Sequence, residues 1–278
     1  MMTYAMPLMN GGDFSTSEFL KSRNETKHFR QKVGVFAENT RYYLESAQTS
    51  ADLIDLFKLR FEVFFGNAPG KSGLDYDHFD WTFDHLTIRE KSTGDVCGTY
   101  RICSQDHTDK FYSEDEFEMS ELVSRPGNKI EIGRACIRDE HRNGLVLDLL
   151  WRGIGQYIQK TDATLIFGCS SIMSISSLLA HELADYFKEL GCINPLQSLQ
   201  PKAKYRALPR QTAPGQYSTE DLKSTVPPLV TSYLRAGATF GAVPAIDLDF
   251  GSIDFLTILD VKQMHPGYQK RYVTPLMS

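Results

Sequence analysis

The sequence predicts an α+β fold: a mixed, mainly antiparallel sheet flanked by helices, with a bulged central strand. Three observations predict it. Two strand runs at 85–90 and 96–103 are joined by Ser92-Thr93-Gly94-Asp95, the composition of a hairpin turn. A strand–helix–strand passage over 129–172 then gives way to further helices and strands, an order unlike the regular alternation of a doubly wound parallel sheet. The third observation is the run KIEIGRACIRDEHRNG at 129–144, where Glu131 and Arg134 stand inside an apolar strand. Charges there are costly unless paired or used, and odd spacing sends them to opposite faces of a regular strand. Gly133 between them predicts a β-bulge that turns both into one cleft.

The elements follow in order. Residues 1–32 read as a loose polar arm, and 33–48 as a helix or an irregular packing segment. The domain organisation expected is this arm over 1–48, then one domain over 49–278 with an extension from about 195. A helix is predicted at 50–65, with Ser50 as N-cap and Leu53, Leu56, Phe57 and Phe64 on its apolar stripe. After the strands, a helix at 145–160 precedes a strand at 164–172. The helix starting at Ser174 ends on Gly191, a left-handed cap. Pro227-Pro228 open a helix at 226–236, and strand-like runs at 238–246 and 253–260 follow.

Bulk properties narrow the function. The chain has 278 residues, 41% hydrophobic and 23% charged, with a net charge of −5, which argues against nucleic acid as the partner. Five cysteines without a C-x-x-C pair read as reduced, buried thiols, and no Cys/His spacing suits zinc, so no metal is expected. No run reaches the roughly 20 apolar residues of a spanning helix, and the start lacks a secretory pattern, so a cytoplasmic protein is expected. A serine hydrolase would need a G-x-S-x-G elbow, which the sequence lacks.

The charged residues themselves suggest chemistry. Glu131 is a candidate general base, acting through a water, or else a structural partner of Arg134 or Arg101. Asp77 and Asp80 suit a cationic ligand, or cap a loop. Arg60 suits a carboxylate, or is simply solvated on its helix. The turn RDEHRNG before a helix is a candidate phosphate site through backbone amides and the helix dipole. From Gly191 to Thr219 there is no acidic residue, while Lys202, Lys204, Arg206 and Arg210 are basic: a dock for anionic lipid or carrier protein, or ordinary surface.

The arrangement resembles the GNAT acyltransferase superfamily. Arg60 and Phe64 (R-x-x-x-F), Asp77 and Asp80 (D-x-x-D), Arg101 (G-x-x-R), and Glu131 and Arg134 (E-x-x-R) follow the pattern of the related acyl-homoserine-lactone synthases. The chain is more similar to the acyl-carrier-protein-dependent ornithine, or related amino-acid, N-acyltransferases, often labelled hemolysin-like. That likeness runs through FD-x-x-x-DHL (79–86), GTYR (98–101), YSE-x-EFE-x-S (112–120), LLWRGI (149–154), PPL-x-x-x-YLR-x-GA (227–238) and DFL-x-x-LD (254–260). It implies a GNAT-like sheet and transfer of a long-chain acyl group, 3-hydroxylated or plain, from phosphopantetheine to an amino acid, in aminolipid synthesis. Glu131, Arg134 and Arg101 would then be catalytic, and Arg60, Asp77 and Asp80 acceptor-binding. Ile137, Arg138, His141, Arg142, Asn143 and Gly144 would hold the donor arm, with no bound cofactor. The loop departs from R/Q-x-x-G-x-G/A at His141 and Val146, which suits one phosphodiester better than a pyrophosphate. Two alternatives are a homoserine-lactone synthase using S-adenosylmethionine and a non-catalytic module that binds lipid or carrier protein.

Overall fold

The structure, a computed structural model, describes residues 29–66, 73–211 and 213–274. The arm expected over 1–32 lies almost wholly outside them. The chain divides into two compact units.

The first unit takes the described residues up to Asp109, with Ile130–Ala163 and the segment from Pro266. It holds β1 (Phe36–Glu38), β2 (Tyr42–Ser46), α1 (Ser50–Phe65), β3 (Asp84–Glu90), β4 (Val96–Ser104), β5 (Asn128–Ile137) and α2 (Gly144–Lys160). The strands pair antiparallel in the order β1-β2-β3-β4-β5. The hairpin β1–β2 corrects the expectation for 33–48. Tyr42, Leu44 and Ser46 alternate inward with two-residue period, and β2 lies beside β3.

The bulge is present in β5. Thr99 pairs with Cys136 and Arg101 with Gly133, so two steps along β4 match three along β5. The residue with positive φ is Arg134 (49°), not Gly133. An L-residue there costs about 1–2 kcal/mol, and the contacts of its guanidinium offset that strain.

Helices cover both faces of this sheet. The N-cap of α1 is Thr49 rather than Ser50, because Thr49 and Asp52 close a reciprocal capping box. Its Leu59 packs with Val96 and Cys136. On the other face, Gly153 of α2 lets Leu44 approach to 2.8 Å of where a Cβ would stand. The Tyr272 carbonyl comes within 2.0 Å of the same point at Gly155. The last described segment therefore presses on α2, with Tyr268 and Tyr272 around Trp151 and Gln159 donating to the Val273 carbonyl. Buried Asp84 accepts hydrogen bonds from Lys32 N (2.8 Å), Val33 N (2.9 Å) and the Tyr157 hydroxyl (2.9 Å), tying the entering chain to β3 and α2.

The second unit takes Lys110–Lys129 and Thr164–His265. Its main elements are β6 (Ala163–Ile172), α3 (Ser177–Glu189), α4 (Thr219–Thr225), α5 (Pro228–Ala236), β7 (Ala245–Asp247) and β8 (Ser252–Asp260). β8 lies between β6 and β7, antiparallel to both, and Thr239–Phe240 also pairs with it. Its core is a cluster of Phe187, Phe240 and Phe255, with ring centroids 4.4–5.5 Å apart. α3 starts at Ser177 because the Ser176 hydroxyl caps it, and Gly191 (φ 69°) follows its end as expected. All five cysteines are free thiols, and burial pushes Cys97 up to about 11 and Cys136 to about 12, so neither is a thiolate at neutral pH. Among the described residues no helix is long and apolar enough to cross a membrane.

Candidate active site

Five of the charged residues singled out from the sequence, Arg60, Asp77, Asp80, Arg101 and Arg134, join Asp75 in a closed ring in the first unit. Arg60 touches Asp75 (2.6 Å) and Asp80 (2.8 Å), and Arg101 touches Asp80 (3.1 Å) and Asp77 (2.6 Å). Arg134 touches Asp77 (3.1 Å) and Asp75 (3.4 Å), which completes it. Each arginine meets two aspartates, and each aspartate two arginines. The supports are different elements: α1 carries Arg60, β4 Arg101, the bulge of β5 Arg134, and the segment before β3 the aspartates. Asp77 and Asp80 also cap the turn His78–Trp81, since Phe79 N donates to Asp77 and Asp77 N to Asp80. The loop-capping reading of these carboxylates is the one the structure shows.

The ring is graded in burial. Arg60 and Asp80 are fully buried, while Asp77 keeps 21% and Arg134 17% of their side-chain surface. Arg60 and Asp80 present no surface to solvent and hold the more exposed half of the ring in place. Burial opposes the Asp80 charge, but Arg60 and then Arg101 overcome it and hold the carboxyl well below the usual range. Asp80 and then Asp77 likewise raise Arg101 against its burial, with Glu131 adding to the effect.

Two members were missed. Asp75 lies in an irregular segment where no periodicity marks it, although its D-x-D spacing from Asp77 is a usable signal. His85 sits beneath the ring, where Nε2–H donates to the Asp80 carbonyl (3.0 Å) and Nδ1 has no hydrogen-bond partner. Burial among Phe29 and Phe57 pushes it down to about 4, so it is neutral at physiological pH.

Glu131 lies on β5 in register with Cys103, two residues from Gly133, which faces Arg101. Alternation puts Glu131 and Arg101 on one face, and the bulge returns Arg134 to it. Glu131 is nearly buried, at 3% exposure. A Cβ built on Gly133 meets no described atom within 4 Å, so open space borders the bulge.

The turn after β5 differs from its expectation in part. Asn143 is the N-cap of α2, and its Oδ1 already accepts from Leu145 N and Val146 N, two of the amides an anion would use. Val146 is fully buried, which explains why a small residue is absent there. His141 is buried, with Nδ1 3.0 Å from the Tyr42 hydroxyl. Arg138 pairs with Glu62 (3.0 Å), and Arg142 with Asp139 (2.8 Å) and the Ile137 carbonyl. Both arginines keep exposed surface, and Gly144 has open space at its Cβ.

A family model described as "Acetyltransferase (GNAT) domain" matches residues 59–152, the stretch that carries the ring, the bulge and most of α2. The antiparallel sheet, its bulge and the helix that follows make this chain a GNAT-type acyltransferase. It is 30% identical over 257 residues to an L-ornithine N(alpha)-acyltransferase of Brucella abortus (strain 2308), covering 84% of this chain and 86% of that one. The enzyme of the same name from Agrobacterium fabrum (strain C58) is 32% identical, over 71% of each chain. The chain belongs to the L-ornithine N(alpha)-acyltransferase family. Similar solved structures include the AHL synthase LasI (13% identity, TM-score 0.44, 86% of this chain and 95% of that one). Another is FeeM, an N-acyl amino acid synthase from uncultured soil microbes (10% identity, TM-score 0.43, 86% and 98%).

Proposed function

We propose that this enzyme transfers a long-chain fatty acyl group, in some cases 3-hydroxylated, from the phosphopantetheine of acyl carrier protein to the α-amino group of ornithine or a related amino acid. The product is an N-acyl amino acid, the precursor of an aminolipid. The observation that carries this reading is the likeness to the L-ornithine N(alpha)-acyltransferase of Brucella abortus across most of both chains. The site supports it chemically. A thioester is already activated, so transfer needs a positioned, deprotonated amine and a donor for the developing oxyanion.

In this mechanism the amine nitrogen attacks the thioester carbonyl, the C–N bond forms and the C–S bond breaks. The amine proton passes to Glu131 and from there, through water, to the departing sulfur, so pantetheine leaves as the thiol and Glu131 returns to its carboxylate. Asp77, the most exposed carboxylate of the ring, receives the acceptor's cationic group, and Arg134 its carboxylate. The bulge takes residues 134 and 135 out of register with β4. The pantetheine phosphate lies at Gly144, flanked by Arg138 and Arg142, and must compete with the Asn143 cap for backbone amides. The reaction is placed on the cytoplasmic side, where acyl carrier protein is available.

The test is free thiol release from long-chain acyl carrier protein with a panel of amino acids. Release with ornithine-class acceptors, and an N-acyl product by mass spectrometry, are expected. No release with any amino acid overturns the proposal, and a homoserine-lactone product from S-adenosylmethionine reassigns the acceptor. Glu131→Gln is expected to lower kcat about 10²–10⁴-fold while the KM of both substrates stays within about threefold. An unchanged kcat removes Glu131 as the base. Gly133→Val fills the space beside the bulge with a residue that strands favour, so the melting temperature is expected to hold while turnover falls about tenfold or more. Full activity in that variant would mean that the space beside Gly133 is not used by either substrate.

A further inference from the structure

We propose that the segment from Gln200 to Arg210, with the two turns it is bonded to, is a preformed docking surface for a bilayer containing anionic lipid. Seven large apolar side chains stand exposed among the described residues, and four of them gather here: Met173, Ile175, Leu208 and Leu248. Leu208 is 67% exposed although both its backbone groups are engaged, its N–H by the Ser177 hydroxyl (3.0 Å) and its carbonyl by His181 Nε2 (2.8 Å). The backbone is therefore fixed with the side chain outward. Those bonds seat Leu208 at the start of α3, directly after Met173 and Ile175. At the other end, Arg206 bridges to Ala245, and Lys204 pairs with Asp249 (2.6 Å), which brings Leu248 to the same segment.

Charge selects the occupant. Lys204 pairs with Asp249, and Arg210 with Glu182 and Asp185. Lys202 and Arg206 instead donate to the carbonyls of Glu114 and Pro201, which leave their charge uncompensated. Among the described residues neither has a carboxylate within ion-pair distance. The segment therefore offers two cations without a carboxylate partner among the described residues, Lys202 and Arg206, beside exposed aliphatic side chains. Apolar insertion combined with basic residues at the surface is the chemistry of a peripheral contact with anionic lipid. The surface does not depend on the acceptor or donor assigned above.

The test is cosedimentation of the full chain with vesicles of phosphatidylcholine alone or with about 30% phosphatidylglycerol. Binding to the anionic vesicles is expected for the wild type. Leu208→Asp with Ile175→Asp is expected to lower the partition coefficient about tenfold or more, and Lys202→Gln with Arg206→Gln by a similar factor. Unchanged circular dichroism and unchanged turnover of soluble substrates are expected in the leucine–isoleucine variant, whose sites are exposed, and this keeps the test valid if the buried stem of Lys202 matters for folding. Absence of wild-type binding, or equal binding by wild type and both variants, overturns the proposal. It is equally overturned if vesicle binding holds while the KM for acyl carrier protein rises, because the surface then belongs to that acidic protein.

Discussion

Asp80→Asn is expected to lower the melting temperature by about 10 °C, more than any other single change in the ring. The substitution keeps the shape and removes the charge between two arginines, one wholly buried and the other nearly so. Breaking a buried pair on one side costs about 3–5 kcal/mol, because the remaining charge has no solvent to turn to. Asp77→Asn is the control: its carboxylate keeps partial contact with water, so a loss near 1 kcal/mol is expected. Equal losses in thermal denaturation would show that burial does not set the order of importance. The pH dependence has a definite sign. Because the folded Asp80 carboxyl is held low, its contribution is complete well above the unfolded value of 3.8 and is lost progressively as pH falls from there toward the folded value. His85, pushed down to about 4, acts earlier: the unfolded chain takes up its proton first, so stability falls as pH drops from about 6.5.

Glu116→Gln is expected to stabilise the protein at alkaline pH and to leave it unchanged at pH 5. Glu116, Asp247 of β7 and Asp254 of β8 are all buried, with carboxylate oxygens within 4.8 Å of one another. Cys169 of β6 stands 3.6 Å from Glu116, and Tyr112 and Tyr205 also border it. Burial, then Asp254 and Asp247, push Glu116 up to about 8, so it carries a proton at neutral pH. An acid raised on folding gives full stability below its unfolded pKa near 4.5, and that stability falls as pH climbs toward 8. At about 1.4 kcal/mol per unit, the wild type loses roughly 3–5 kcal/mol across that window. The glutamine variant removes most of the slope. Parallel melting curves for wild type and variant from pH 5 to 9 would mean that Glu116 is ionised throughout.

Most of this could be read from residue patterns, and the failures have physical causes. The long periodic elements α1, β4, β5, α2 and α3 lie within a few residues of their expected bounds. The β1–β2 hairpin was obscured because FAENTRYYLES mixes helix-favouring Ala, Glu and Leu into a short strand alternation. α4 was overlooked because seven residues bury only Leu222, although Ser218 and Asp221 mark its start. At the site, sequence reasoning found Arg101, Arg134, Asp77 and Asp80 together but not how burial divides them. Arg60 on an amphipathic helix looks solvated until Asp75 and Asp80, 15 and 20 residues away, fold over it. His141 occupied a phosphate-loop position by spacing, while its ring is taken by Tyr42, 99 residues earlier. Contacts of that range leave no periodic trace.

Three guanidinium groups and three carboxylates in alternation sum to zero. A charge removed from one position unbalances two others, and the penalty follows their burial: heaviest at Asp80, between Arg60 and Arg101, and light where Asp77 and Arg134 meet water.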